Sequence, residues 1–460
     1  MSTGCQVAKF GGTSLADYTA MCRCAEIVRS DTRIRLVVVS APSGITNSLV
    51  KISQVVRTSH AEAVELAQGI AAKIQQFTDA LPADAARDQR VTQLLEDMHL
   101  LVLMLSKAHS AQLVDELLSF GERLSAVFFT AVLQSVNVAV RHVDARTLSK
   151  TDDCYGKANP VLVDTQVQVI EQLLPHVTDQ VCVTEGFIGA TNDNVTTTLG
   201  RGGSDYSAAL FAEALSASAL QIWTDVNGIY RIDPRIVPHA EKIDHLCFSE
   251  AAELATFGAK VLHPASLWPA IRKKIPVYVG SSLQAEAGGT WITQNSETPV
   301  PTVRAIALRS QQTLLTIHSL EMFHARGFLA KVFAVFSKHN IGVDLITTSE
   351  VSIALTLDDA AFSTERPVVL KALLADLRCI ENIKVDVESD LSLVAIIGNH
   401  LQKTAGVSGQ IFQGLERFNI RLLCHGASQH NLCFLVNADQ GEAVAQQLHE
   451  IFFAADEVNA

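Results

Sequence analysis

The run Leu36-Val37-Val38-Val39 restricts this chain more than any other feature. Four consecutive large apolar residues, three of them β-branched, cannot alternate between a core face and a wet face, so they suit a strand buried on both sides in a parallel sheet. Related text recurs at Val7–Phe10, Asn137–Ala145, Val181–Thr184, Ala219–Thr224 and Ile275–Val279, with helical or glycine-rich text between. Ala16–Ser30 is helix-compatible, and from about Val50 to Gln134 the sequence is helical, rich in Ala, Leu, Gln and Glu. Strands alternating with helices predict an α/β layered domain with a mostly parallel central sheet. At 460 residues, two or three folding units are expected.

Residues 295–304, NSETPVPTVR, are polar and carry Pro299 and Pro301, which marks a boundary. Beyond it the sequence repeats at an offset of 79 positions: Leu314 aligns with Leu393, Gly327 with Gly406, Phe333 with Phe412, Asn340 with Asn419 and Ser349 with Ser428. Each copy reads strand, amphipathic helix opened by glycine (Ala330–His339; Gln410–Phe418), Asn-Ile turn, strand, turn, strand. Two such β-α-β-β units make a tandem, ferredoxin-like pair.

Composition removes several classes of function. A net charge of −12 with no Lys/Arg-rich run argues against nucleic acid. Nine scattered cysteines with no C-x-x-C pair read as reduced thiols, and MSTGCQVAKFGG has neither the basic start nor the apolar run of a secretory signal or anchor. The most apolar run, Leu100 to Leu105, is far short of the ~20 residues of a spanning helix, so the expectation is a cytoplasmic protein with no membrane partner. Cys424-His425 with His430 and Cys433 matches no structural zinc spacing, and no metal site is expected. Neither G-x-S-x-G nor H-E-x-x-H occurs, which leaves hydrolase readings without a nucleophile or a metal.

Four strings could carry chemistry. In Val7-Ala8-Lys9-Phe10-Gly11-Gly12-Thr13-Ser14 a strand delivers Lys into a glycine turn expected to open a helix, which offers backbone N–H groups and an ammonium to a phosphate. It is not a Walker loop, because Lys precedes the glycines. In Leu199-Gly200-Arg201-Gly202-Gly203-Ser204-Asp205-Tyr206 the glycines admit a ligand to the backbone and Arg201 can grip a carboxylate or phosphate, while Ser204 or Asp205 would cap a helix over Ser207–Leu215. Trp223-Thr224-Asp225 sets polar groups at a strand's carboxyl end, where α/β sheets bind ligands. In Phe120-Gly121-Glu122-Arg123 a carboxylate inside helical text could meet an ammonium, although an ordinary surface Glu has the same look.

Taken together, KFGGTS (Lys9–Ser14), SGITN (Ser43–Asn47), FGERLS (Phe120–Ser125), TTTLGRGGSDYSAAL (Thr196–Leu210), WTDVNGIYRIDPR (Trp223–Arg235) and ATFGAKVLHP (Ala255–Pro264) resemble the aspartate kinases in order and spacing along the whole chain. The tail, with HSLEMFHARGFLAKVF and HNIGVDLITTSEVS, is similar to the monofunctional, lysine-sensitive class of that family. The resemblance implies an amino-acid-kinase (carbamate-kinase-like) sandwich over 1–298 and a regulatory region over 299–460 with two ACT units at about 313–390 and 391–460, their strands open to exchange. It implies ATP- and Mg²⁺-dependent phosphorylation of the L-aspartate side chain to 4-phospho-L-aspartate, and feedback inhibition by L-lysine. With the sequence ending at Ala460, a single activity is expected. A homodimer through the ACT domains is implied, with further pairing to a tetramer left open.

On the same resemblance, Lys9 with Gly11 and Gly12 holds the transferring phosphoryl group, Arg201 takes the aspartate α-carboxylate, and Thr46, Glu122, Ser204 and Asp205 complete the amino-acid pocket, with Glu122 at the ammonium. Thr224, Asp225, Tyr230, Arg235, Lys260 and Val261 match nucleotide positions. The lysine site corresponds to Met322, Ala325, Phe328, Leu329, Gly342, Val343, Asp344, Thr348, Ser349 and Glu350; Ala325 and Gly342 stand where the class tends to have Ser. The rival readings are a kinase of glutamate or acetylated glutamate, and an amino-acid sensor without turnover. The Arg201/Glu122 pair argues for a free amino acid, and intact Lys9, Arg201 and Asp205 argue for catalysis.

Overall fold

The computed structural model describes residues 4–258, 262, 264–294, 302–323, 326–357 and 366–457. The chain divides into two compact units: Met1–Ile229, Lys242–Ala252 and Lys260–Glu297 form the first, and Tyr230–Glu241, Glu253–Ala259 and Thr298–Ala460 the second.

The first unit starts on β1 (Gln6–Phe10), passes a 3₁₀ turn at Thr13–Leu15 into α1 (Tyr18–Ser30) and returns on β2 (Ile34–Val39). Four helices follow: α2 (Ile45–Val55), α3 (His60–Ala80), α4 (Ala85–Lys107) and α5 (Ala111–Ser135). Ser59, Asp84 and Ser110 cap α3, α4 and α5 by accepting first-turn N–H groups, each contributing about 1 kcal/mol. Next come β3 (Val140–His142), α6 (Ala145–Leu148), α7 (Leu162–Leu173), β4 (Val181–Glu185) and the hairpin of β5 (Ile188–Ala190) and β6 (Thr196–Thr198). Then follow α8 (Gly203–Leu215), β7 (Ala219–Thr224), β8 (Ile229–Tyr230, whose second residue is counted in the second unit), β9 (Lys242–Ile243) and β10 (His245–Cys247). The series ends with α9 (Phe248–Phe257), α10 (Pro264–Lys273), β11 (Val277–Ser281) and β12 (Gly289–Thr293).

Among the described residues the main sheet runs β10-β12-β11-β7-β1-β2-β4-β3. It is parallel from β11 to β3, and β12 lies antiparallel to β11. The Leu36–Val39 run sits in its centre with every side chain buried, as the unbroken apolar text requires. Phe10 packs on Phe129 and Trp223, with ring centroids 5.6 and 6.4 Å away, and so joins the sheet to α5. Two expectations are corrected. The glycine turn opens a 3₁₀ turn instead of the first helix, because Asp17, which accepts the Ala20 N–H at 2.8 Å, supplies the helix cap only later. The strand text at Asn137–Ala145 shrinks to three residues, since Asp144 is spent capping α6.

The second unit holds β13 (Val303–His318), α11 (Phe328–Lys338), β14 (Val343–Thr348), β15 (Ser352–Leu357) and α12 (Arg366–Arg378). The pattern returns as β16 (Lys384–Gly398), α13 (Val407–Gly414), β17 (Leu422–His425), β18 (Asn431–Asn437) and α14 (Gly441–Glu457). Its sheet order, β14-β15-β13-β16-β18-β17, is symmetric about the antiparallel β13/β16 pair. Both repeat helices start earlier than their apolar text, because Gly327 (φ 80°) and Gly406 (φ 89°) cap them in the left-handed region. Strand β13 serves two cores: Ile306 packs with Val394, Ile411 and Phe434, and Leu315 and Ile317 pack with Val332, Phe336 and Leu373.

Candidate active site

Strand β1 lies between β2 and β7, all three parallel, so their carboxyl ends meet at Phe10, Val39 and Trp223. That register brings Lys9 to the rim of the sheet, nearly buried, with its Nζ 2.6 Å from Asp205 Oδ1. The two glycines after it behave differently. The Gly11 N–H donates to the Trp223 carbonyl at 3.0 Å, so it is occupied; the Gly12 carbonyl accepts from Ser43 N–H at 2.9 Å. A Cβ on Gly12 would stand 2.8 Å from the Ala41 carbonyl oxygen, a distance that only glycine tolerates.

The second glycine loop runs into α8. Gly200 and Gly202 both have φ 75°, which turns Arg201 out to an exposed lip. The helix begins at Gly203, four residues before its expected start, and Gly202 caps it without a side chain. Ser204 and Asp205 are therefore first-turn residues and not caps. Their N–H groups lie at the positive end of α8, a favourable place for an anion.

Glu122, from α5, is 3% exposed. Its Oε1 accepts the Ala41 N–H at 3.2 Å, and Oε2 has no hydrogen-bond partner. Burial pushes its carboxyl up to about 8, the Glu185 charge adds to this, and the Ala41 N–H and Lys9 ammonium oppose it. A neutral, half-satisfied carboxyl facing a cleft is poised to ionise when a cation arrives.

Lys9, Thr46, Glu122, Arg201, Ser204 and Asp205 converge on one cleft of about 540 Å³. Ser43 and Gly44 of the SGITN string line it too, and the remaining wall carries no signal in the sequence. Ser40–Pro42, Leu118, Gly156 and Phe187 make up that part, and Phe187 holds φ 67°, unusual for a bulky residue. Thr224 closes β7 beside β1, its Oγ1 donating to Asp225 Oδ1 at 3.1 Å, and neither residue lines the cleft. Tyr230 and Arg235 belong to the second unit, where Tyr230 packs on the core and Arg235 pairs with Asp233 at 2.5 Å. Lys260 and Val261 lie outside the described residues.

The residues expected at an effector site fall on the segment leading into α11, its first turn, the outer strand β14 and the turn after it, with Ala325 outside the described residues. Phe328 is buried, Met322 and Val343 pack on the same core, and Leu329 and Thr348 are exposed. Gly342 leads into β14, where Asp344 is paired with Arg309 of β13. Ser349 closes the following turn through the Ser352 carbonyl, which its N–H reaches at 2.9 Å, leaving Glu350 exposed at the tip.

Residues 4–281 match the amino acid kinase family, and 394–452 match the ACT domain. The chain is 49% identical over 448 residues to the lysine-sensitive aspartokinase 3 of Escherichia coli, covering 97% of this chain and 99% of that one. It is 34% identical to the chloroplastic aspartokinase 2 of Arabidopsis thaliana over 98% of this chain and 84% of the other. Among solved structures, E. coli aspartokinase III with aspartate and ADP (R-state) matches with a TM-score of 0.87 at 47% identity, over 98% of this chain and all of that one. The same enzyme with lysine and aspartate (T-state) matches with a TM-score of 0.84 at 48% identity, with the same coverage.

Proposed function

The chain belongs to the amino acid kinase family, in its aspartokinase branch, and on that footing we propose how its cleft works. It transfers the γ-phosphoryl group of ATP to the side-chain carboxylate of L-aspartate, giving 4-phospho-L-aspartate, and L-lysine inhibits it at the ACT region. The observation that carries the residue roles is the convergence of Lys9, Glu122, Arg201 and the amino end of α8 on one cleft.

A carboxylate is already ionised at neutral pH, so the nucleophile needs no general base, and positioning and charge neutralisation must supply the catalysis. Lys9, with the Gly12 amide and the first turn of α8, meets the phosphoryl oxygens. Arg201 pairs with the α-carboxylate, and Glu122 takes the ammonium, with Thr46 and Ser204 completing the pocket. Asp205 orients Lys9 through their ion pair. Thr224, Asp225, Tyr230, Arg235, Lys260 and Val261 are assigned to the nucleotide on the strength of the sequence match alone.

Mg²⁺ enters as the counter-ion of the nucleotide. It would be carried mainly by the nucleotide's phosphate oxygens and water, with Asp205 as the carboxylate of the cleft nearest to hand. When bound it screens the charge of the phosphates.

The same reading takes 1–298 as catalytic and 299–460 as regulatory, with ACT units at about 313–390 and 391–460; the mirrored sheet of the second unit supports it. A homodimer through the ACT region, with further pairing to a tetramer left open, is the assembly this reading takes, and the exposed Leu320 and Phe323 near the effector positions support an interface there. A cytoplasmic setting is supported by nine cysteines of which none is in a disulfide. No described helix is long and apolar enough to cross a membrane.

ATP-dependent aspartyl hydroxamate formation tests the reaction, with glutamate as control. Activity on aspartate that falls with lysine is expected; equal activity on glutamate would defeat the assignment. Glu122 adds a pH signature. Below about pH 8 its carboxyl is mostly neutral, so binding an ammonium there requires loss of a proton. KM for aspartate should fall by up to about tenfold per pH unit between pH 6 and 8 and then level. Glu122→Gln should raise KM about 10- to 100-fold and erase the slope, since a charge-assisted bond of about 1.5–3 kcal/mol is lost. For folding, a raised carboxyl pKa makes this group's stabilisation complete below about pH 4 and lost as pH rises through about 8. The Gln variant should therefore melt higher than wild type at pH 9 and alike at pH 4.

A further inference from the structure

Seven residues before Glu122 on α5 stands Asp115, 1% exposed and absent from every role assigned above. Its Oδ2 accepts the Gly156 N–H at 2.9 Å and the Thr198 N–H at 2.8 Å, and its Oδ1 accepts the Thr198 hydroxyl at 2.9 Å. Both partners are wall residues of the cleft. No cation is paired with Asp115 among the described residues, and burial raises its carboxyl above the ordinary range in spite of the three donors. A buried carboxylate held only by neutral donors is a costly way to fasten a turn, which calls for a reason.

The reason lies in what the two partners hold. Thr198 is the last residue of β6 and leads through Leu199 into Gly200-Arg201-Gly202. Gly156 backs the same loop: a Cβ added to Gly200 would meet the Gly156 carbonyl oxygen at 3.3 Å. The Thr198 carbonyl in turn accepts the Ala158 N–H at 2.8 Å, closing a ring of bonds around Asp115. Along α5, Asp115, Leu118 and Glu122 occupy positions i, i+3 and i+7 and share a face. Leu118 and Glu122 reach the cleft directly; Asp115 reaches it through Thr198 and Gly156.

We propose that Asp115 is a positioning residue for the amino-acid substrate: by clamping Thr198 and Gly156 it sets the Arg201 loop, so that one helix fixes the spacing between the groups that receive the ammonium and the α-carboxylate. This rests on the assignment of Arg201 to the α-carboxylate. The clamp concerns aspartate and not the nucleotide, which separates it from a general structural role.

Four variants, Asp115→Ala, Asp115→Asn, Thr198→Val and Arg201→Ala, are compared by kcat and by KM for aspartate and for ATP. Asp115→Ala should raise KM for aspartate at least tenfold while KM for ATP stays within twofold. Thr198→Val, which deletes one donor at constant volume, should raise KM for aspartate three- to tenfold. Asp115→Asn should stay within threefold of wild type, because its amide oxygen can take both backbone N–H groups and the Thr198 hydroxyl can turn to accept from the new NH₂. An unchanged KM for aspartate in Thr198→Val and Asp115→Ala, or a parallel rise in both KM values, overturns the proposal. If Asp115→Ala does not fold, Thr198→Val decides alone. An unchanged KM in Arg201→Ala removes the substrate assignment of the loop and this inference with it; a raised KM there with unchanged values at 115 and 198 removes this inference only.

Discussion

Replacing Lys9 by Ala lowers kcat about 1000-fold at saturating ATP and aspartate, equivalent to about 4 kcal/mol of lost transition-state stabilisation. The size follows from where the ammonium sits. Lys9 is nearly buried at the carboxyl end of β1, 2.6 Å from Asp205, in a cleft otherwise served by backbone dipoles and the exposed Arg201. Charge spreads over the phosphoryl oxygens during transfer, and a fixed cation at low local dielectric stabilises that charge far more than it would in water. Its removal also strands the Asp205 carboxylate beside the incoming phosphates. Lys9→Arg keeps the charge but cannot place it at the same point, so it should recover only part of the rate. Steady-state kinetics with a melting curve settle the matter: an alanine variant that folds and turns over within tenfold of wild type would contradict the phosphoryl-site assignment.

Asp344→Ala should raise the lysine concentration needed for half-inhibition by 10- to 100-fold, with aspartate phosphorylation in the absence of lysine close to wild type. The carboxylate lies on the outer strand β14 and is only a quarter exposed, so an ammonium bound there makes a charge-assisted hydrogen bond of about 1.5–3 kcal/mol. Asp344 is already paired with Arg309, so lysine must compete with that guanidinium. An effector inhibits only by its difference in affinity between active and inactive states, about 1–3 kcal/mol in ordinary cases, and loss of one ionic contact is enough to cancel that. Inhibition curves at fixed aspartate and ATP are the measurement. Unchanged lysine sensitivity would move the effector site away from β14.

The central sheet was legible because its signals are local. A Leu-Val-Val-Val run has nowhere to go but a doubly covered strand, and Gly327 and Gly406 mark where the two repeat helices open, although that both sit in the left-handed region is seen only in the structure. Boundaries were less legible. The first helix starts at Tyr18 and α8 at Gly203 because caps and turns, chosen by competition among neighbouring donors and acceptors, decide where a helix begins.

By itself the sequence determined the α/β alternation and the tandem repeat, since both are written in spacing and residue type, and it named the charged groups of the cleft only through the family resemblance, Glu122 having the look of an ordinary surface residue. Only the tertiary structure decided how those groups behave. That Glu122 is neutral up to about pH 8, that Lys9 meets Asp205, that Asp115 grips Thr198 and that Asp344 is held by Arg309 all depend on partners far apart in sequence. Burial and hydrogen bonding are properties of the folded neighbourhood, and no local window of sequence contains that neighbourhood.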